Sequence, residues 1–213
     1  MAEEDITLHY FDVHAKGEAI RIMFHYIGVA FNDHKIDFDE WPAVKASGLC
    51  EFKQLPCLEI EGQKLVQSNS ILRYLCRKYD LYSTDAFKAY LIESVCDLKE
   101  DLYKSLYKYF ADKDFEGMDN WVSETLPQKL ELLENRLKQN KDGKGWFVGE
   151  KVTMADVQVF QFLYDYMLSP LKKPKFEHVL SGSAPSLKEF ANRFIESSES
   201  LRSYLESRED KIF

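Results

Sequence analysis

Leu55-Pro56-Cys57-Leu58-Glu59-Ile60-Glu61-Gly62-Gln63-Lys64-Leu65-Val66-Gln67-Ser68 holds the elements that decide the fold. A proline opens a short apolar run, Glu61-Gly62-Gln63 supplies a turn, and Lys64-Leu65-Val66 returns, which is the pattern of a β-hairpin. Ser68 then stands where an N-cap would start a helix carrying Ile71, Leu72, Tyr74, Leu75 and Tyr79. Upstream, Ile6, Leu8 and Tyr10 alternate with Thr7, His9 and Phe11, so a strand is predicted. Gly17 to Ile27 carries apolar residues at helical spacing and ends at Gly28, a C-cap candidate. Asn32 to Phe38 alternates again, and a loop with Trp41, Pro42 and Lys45 leads back to the hairpin. The order is βαβ, loop, ββα.

After Tyr82 the texture changes. Leu91, Val95, Leu98, Leu102, Leu106 and Tyr109 step by three and four, predicting one long helix over 85–110, and Trp121 to Leu137 repeats the pattern. Thr153-Met154-Ala155-Asp156 has the form of a capping box before Val157, Val159, Phe160, Phe162 and Leu163, a helix apolar nearly all round. No strand pattern follows residue 82. The expected organisation is an α/β domain over 1–82 and an all-helical domain over 83–213.

With 213 residues, 45% of them hydrophobic and only 9 Gly and 6 Pro, the chain can build a core, which excludes a low-complexity or disordered protein. A net charge of -8 and a pI near 5.2 repel phosphate backbones and anionic lipid, so no nucleic-acid or membrane partner is expected. The opening is acidic where a secretory leader is basic, and no apolar run spans a bilayer; the reading is cytoplasmic. Cys50, Cys57, Cys76 and Cys96 form no CxxC pair and have no histidine at ligand spacing, so they read as reduced, buried residues, with neither a metal nor a disulfide expected.

A βαβ-ββα unit with proline before its third strand has thioredoxin topology. The redox members carry CxxC just after the first strand, where this chain has Tyr10-Phe11-Asp12-Val13-His14-Ala15-Lys16-Gly17. Any thiol chemistry must therefore use a thiol that the ligand brings. Tyr10 takes the place of the cysteine, and a tyrosine hydroxyl can donate a hydrogen bond that favours a bound thiolate over the thiol.

The same motifs carry a resemblance that runs nearly end to end: Tyr10-Phe11, Glu18-Ala19-Ile20-Arg21, Trp41 with Lys45, Gln54-Leu55-Pro56, Gln67-Ser68-Asn69-Ser70-Ile71-Leu72-Arg73-Tyr74-Leu75 and Thr153-Met154-Ala155-Asp156. In this order they resemble a cytosolic glutathione transferase of the tyrosine type, nearest the pi, sigma and mu group. The resemblance implies a thioredoxin-like glutathione-binding domain joined to a helical domain. The implied reaction is attack of the glutathione thiolate, stabilised by Tyr10, on small hydrophobic electrophiles, with glutathione as co-substrate and no metal. A glutathione-dependent prostaglandin isomerase, or a binding protein with little turnover, is the alternative.

By the same resemblance the glutathione contacts are Tyr10, Lys16, Trp41, Lys45, Gln54, Leu55, Gln67 and Ser68, with Asp101 supplied by the partner subunit of a homodimer and Phe52 inserted across the interface. Leu55-Pro56 is a candidate cis bond that turns the backbone toward the cysteinyl part of the ligand. Phe11, Val13, Tyr107 and Ala111, with Ile212-Phe213 nearby, would line the pocket for the electrophile. By residue type alone, Ser68 is also a plain N-cap, Lys45 and Asp101 are also solvated charges, Trp41 and Phe52 can also pack inside their own chain, and Asp156 is structural. The chain departs from the pattern in having Lys16 for arginine, His14-Ala15 for a glycine-containing pair and Lys53 for a common glycine. A lysine keeps the charge but not the planar fork.

Overall fold

The computed structural model describes residues 5–211, leaving aside the side chain of Phe110. The first elements are β1 (Thr7–Phe11), α1 (Ala15–Ile27), β2 (Asn32–Ile36), α2 (Trp41–Ala46), β3 (Cys57–Ile60), β4 (Gln63–Val66) and α3 (Ser68–Lys78). The four strands form one sheet in the order β2-β1-β3-β4. β1 runs parallel to β2, antiparallel to β3, and β3 pairs with β4 as the hairpin that the turn at Glu61-Gly62 predicts. Ile6, Leu8 and Tyr10 are buried, as their alternation requires, and α1 packs on α3 over Ile20, Phe24, Leu72 and Leu75. Gly28 ends α1 with φ 68°, a left-handed position that glycine adopts without a Cβ clash.

The helical part comprises α4 (Ala86–Asp112), α5 (Phe115–Asn120), α6 (Leu126–Lys138), α7 (Met154–Leu163), α8 (Lys173–Ser183) and α9 (Pro185–Glu196), followed by α10 (Glu199–Ser207). Among the described residues no strand follows β4, and no helix is long and apolar enough to cross a membrane. Every residue of α7 is buried, and its capping box is complete, with Thr153 and Asp156 each serving the other. Packing divides the chain into two compact units. One holds residues up to Tyr79 together with those from Ser198 onward, and the other holds Asp80–Ser197. The C-terminal segment thus groups with the α/β unit because α10 lies on α1, where the Ser198 hydroxyl donates to the Tyr26 carbonyl at 2.9 Å.

Three local expectations change. The loop holding Trp41 and Lys45 is the short helix α2, with Pro42 in its first turn, where a fixed φ and a missing N–H are tolerated. Ser68 is the first residue of α3, and the capping position belongs to Gln67, whose φ of 71° is rare outside glycine. Trp121 to Leu137 is not one regular helix: Trp121–Thr125 is a π-helical stretch and α6 restarts at Leu126. Pro127 has no N–H to give the Ser123 carbonyl four residues back, so the regular ladder cannot run through.

Candidate active site

Tyr10 lies near the end of β1 and is 6% exposed. The β1–β3 register pairs His9 with Cys57, and the β3–β4 register pairs Cys57 with Val66. One step further brings Tyr10, Pro56 and Gln67 level at the same end of the sheet. The Leu55–Pro56 bond there is cis. The Tyr10 hydroxyl oxygen accepts the backbone N–H of Lys16 at 3.1 Å, from the first turn of α1. A phenol oxygen that accepts a hydrogen bond is a better donor through its own proton.

The glutamines meet as well. Gln67 Nε2 donates to Gln54 Oε1 at 3.3 Å, across the mouth of the hairpin. Ser68 follows directly, half-buried at the N-terminus of α3, where the first-turn amides have no partner within the helix. Trp41 is half-buried, with its ring edge-on to Phe11 at 5.6 Å, while Lys45 is exposed on α2. Phe11 also stacks on Phe38 at 4.6 Å, so this aromatic group is larger than the sequence reading had it. Val13 is half-buried and its carbonyl is held by Arg21.

The remaining predicted residues lie on α4 and on the loop before Gln54. Asp101 is exposed on α4, as are Tyr107, stacked on Tyr103 at 5.8 Å, and Ala111. Phe52 is 54% exposed on the loop before Gln54. Ile212-Phe213 lies outside the described residues. The four cysteines are buried and in no disulfide, and burial pushes the Cys57 thiol up to about 12, which disfavours its thiolate.

Glu18 and Arg21 of the Glu18-Ala19-Ile20-Arg21 motif form a buried charge cluster. Glu18 is fully buried and takes Arg208, the Tyr204 hydroxyl at 2.8 Å and Arg21 at 3.2 Å. Burial pushes its carboxyl up, but Arg208, then Arg21 and His14, outweigh burial and hold it below the usual range. Arg21 in turn donates to Asp33 at 3.0 Å, to the Val13 carbonyl at 2.8 Å and to the Phe11 carbonyl at 3.4 Å. Its guanidinium carbon lies 5.7 Å from the centre of the Tyr10 ring. The loop that follows Tyr10 is thus fastened to α1 by one forked cation. The signal available in the sequence was the i, i+3 spacing of two opposite charges inside a mostly apolar helix.

Residues 6–77 match the family description "Glutathione S-transferase, N-terminal domain", and residues 96–208 match "Glutathione S-transferase, C-terminal domain". A Caenorhabditis elegans relative named "Probable glutathione S-transferase 8" is 30% identical over 97% of this chain and 98% of its own. The mouse "Hematopoietic prostaglandin D synthase" is 33% identical over 70% of this chain and 73% of its own. Among solved structures, the pi-class glutathione S-transferase of Onchocerca volvulus is 30% identical, with a TM-score of 0.85 over 96% of this chain and 93% of that one. With both domain descriptions matched in order and full-length similarity at this level, the chain belongs to the glutathione S-transferase family and is a transferase enzyme that uses glutathione.

Proposed function

We propose that Tyr10 carries the chemistry of this transferase, donating its hydroxyl proton as a hydrogen bond to the sulfur of bound glutathione and so favouring the thiolate. The observation that carries the reading is the Lys16 N–H on the Tyr10 oxygen, which polarises the hydroxyl for donation at the end of the sheet where Gln54, Leu55, Gln67 and Ser68 also gather. Each unit by which the thiol pKa falls is worth about 1.4 kcal/mol. The thiolate then attacks the electrophile, the leaving group departs, and no covalent protein intermediate is needed.

Gln67, Ser68 and the first amides of α3 would hold the γ-glutamyl carboxylate. Leu55 would pair its backbone with the cysteinyl part, and Trp41, Lys45 and the Lys16 side chain would meet the glycine carboxylate. Phe11, Val13, Tyr107 and Ala111 are the candidates that the family resemblance supplies for the electrophile. A homodimer of cytoplasmic location fits the exposed Phe52 and a partner-supplied Asp101: an apolar ring left at a loop tip asks for a socket. Sedimentation of Phe52→Ser should show more monomer and weaker glutathione binding; an unshifted species would remove Phe52 from the interface.

The test of Tyr10 is Tyr10→Phe. Turnover with a standard aryl halide should fall by about a hundredfold, as for loss of one anion-stabilising donor, with the KM for glutathione within about threefold. A wild-type rate and pH profile would take Tyr10 out of the catalytic role. The second reading, isomerisation of a lipid peroxide by the same thiolate, has the mouse prostaglandin D synthase as a relative; turnover of such a peroxide without aryl-halide conjugation would select it. Retention on immobilised glutathione with neither activity would point to a binding protein.

A further inference from the structure

Gly17 sits in α1, where alanine would be the better helix former. What it provides is space. A Cβ placed on Gly17 would lie 2.4 Å from Cδ1, 2.8 Å from Cγ and 3.0 Å from Cε1 of Tyr10, closer than real carbon contacts allow. Cγ is the root of the ring, so rotating the distal end cannot relieve the overlap. Arg21, one helical turn on, lies 5.7 Å from the same ring, so the phenol rests on an α1 face made of bare backbone at 17 and a guanidinium at 21. Immediately before Gly17 on the chain, Lys16 presents its N–H to the Tyr10 oxygen at 3.1 Å. On the other side of Lys16, Ala15 has φ 32°, in the left-handed region where a Cβ is strained, so the turn that aims this amide is held from both flanks.

We propose that Gly17 is a positioning residue for the transfer reaction: its missing side chain lets the Tyr10 ring lie directly on α1 and so sets its hydroxyl against the Lys16 amide. The inference rests on the reading of Tyr10 as the thiolate-stabilising group. It makes the Lys16 backbone, and not only its side chain, part of the device, so the arginine-to-lysine departure leaves this hydrogen bond intact.

The experiment is Gly17→Ala alone and combined with Tyr10→Phe, with hydrogen exchange at the Lys16 amide as a readout independent of turnover. Gly17→Ala should lower kcat by about tenfold and move the acid limb of the pH profile to higher pH, with the KM for glutathione within about threefold. Lys16 should exchange faster, and the same change in the Tyr10→Phe background should cost nothing further. Ala15→Val, which disfavours the left-handed turn, should shift the pH profile the same way, and it serves if Gly17→Ala does not fold. Unchanged Lys16 exchange, an unmoved pH profile, or an equal loss in both backgrounds would overturn the inference. Tyr10→Phe with wild-type turnover, while Lys16 exchange still responds to Gly17→Ala, would instead sink the reading of Tyr10.

Discussion

Glu18 in the α/β unit and Asp156 in the helical unit are both carboxylates with no exposure, yet their surroundings answer burial in opposite ways. Around Glu18 stand two guanidinium groups and a tyrosine hydroxyl, and its carboxyl is held below the ordinary range despite burial. The hydrogen bonds to Asp156 come from neutral donors, the Phe147 N–H at 2.8 Å and the Thr153 N–H and hydroxyl at 2.7 and 2.8 Å, with Arg193 interacting by charge alone in a minor role. Burial wins there, raising the carboxyl to about 6 against those hydrogen bonds. The lesson is that buried dipoles can orient an acid without compensating its charge, whereas formal charges can do both.

The largest effect expected from this contrast is at Glu18. Glu18→Gln keeps the shape but leaves Arg208 and Arg21 buried without their shared counter-charge, and should lower the unfolding free energy by about 3 to 5 kcal/mol. Asp156→Ala orphans the donors of Phe147 and Thr153 and removes a helix cap, with an expected loss of about 3 kcal/mol. Urea unfolding of both variants measures the two numbers. A Glu18→Gln loss smaller than that of Asp156→Ala would break the comparison.

Titration sharpens it. Asp156 has a folded value near 6, above its ordinary 3.8, so between these limits the native state holds more protons than the unfolded chain. Stability therefore falls as pH rises from about 4 to 6, by at most about 1.4 kcal/mol per pH unit for one proton. Glu18 has a folded value below 4.5, so its contribution is present above 4.5 and is lost as pH falls through that lower value. Wild-type melting temperature, followed from pH 3 upward by roughly whole units, should carry both limbs. In Asp156→Ala the decline between about 4 and 6 should flatten; if it persists unchanged, another group causes it.

The hairpin at residues 57–66 and the capping box at 153–156 were legible because local chemistry alone specifies them: a Gly-containing turn between apolar runs, and two side chains three apart. Tyr10, Gln54, Gln67 and Ser68 came from the resemblance to the transferase family, and the strand registers bring Tyr10 and Gln67 to the same end of the sheet. What the sequence hid depends on distance along the chain. Nothing in Glu18 announces Arg208, 190 residues away, or the Tyr204 hydroxyl on α10 that reaches the same carboxylate. Gly17 hid for another reason: an atom that is absent leaves no pattern, and its role shows only as a 2.4 Å overlap with a ring.

The smallest effect expected is at Tyr204, which separates charge from dipole inside the Glu18 cluster itself. Its ring stacks on His25 at 3.9 Å and would stay in place in Tyr204→Phe, while the hydroxyl donated to Glu18 at 2.8 Å would be lost. Arg208 reaches the same carboxylate oxygen, so that atom is not orphaned. The expected loss is about 1 kcal/mol, the ordinary net worth of one hydrogen bond, well below the loss for Glu18→Gln. Because the hydroxyl helps hold the Glu18 carboxyl low, its removal should also move the acid limb of the stability profile to higher pH. Unfolding at neutral pH and at low pH reads both effects. A loss in Tyr204→Phe as large as in Glu18→Gln would mean that the dipole, and not the paired charge, is what makes a buried carboxylate tolerable in the α/β unit.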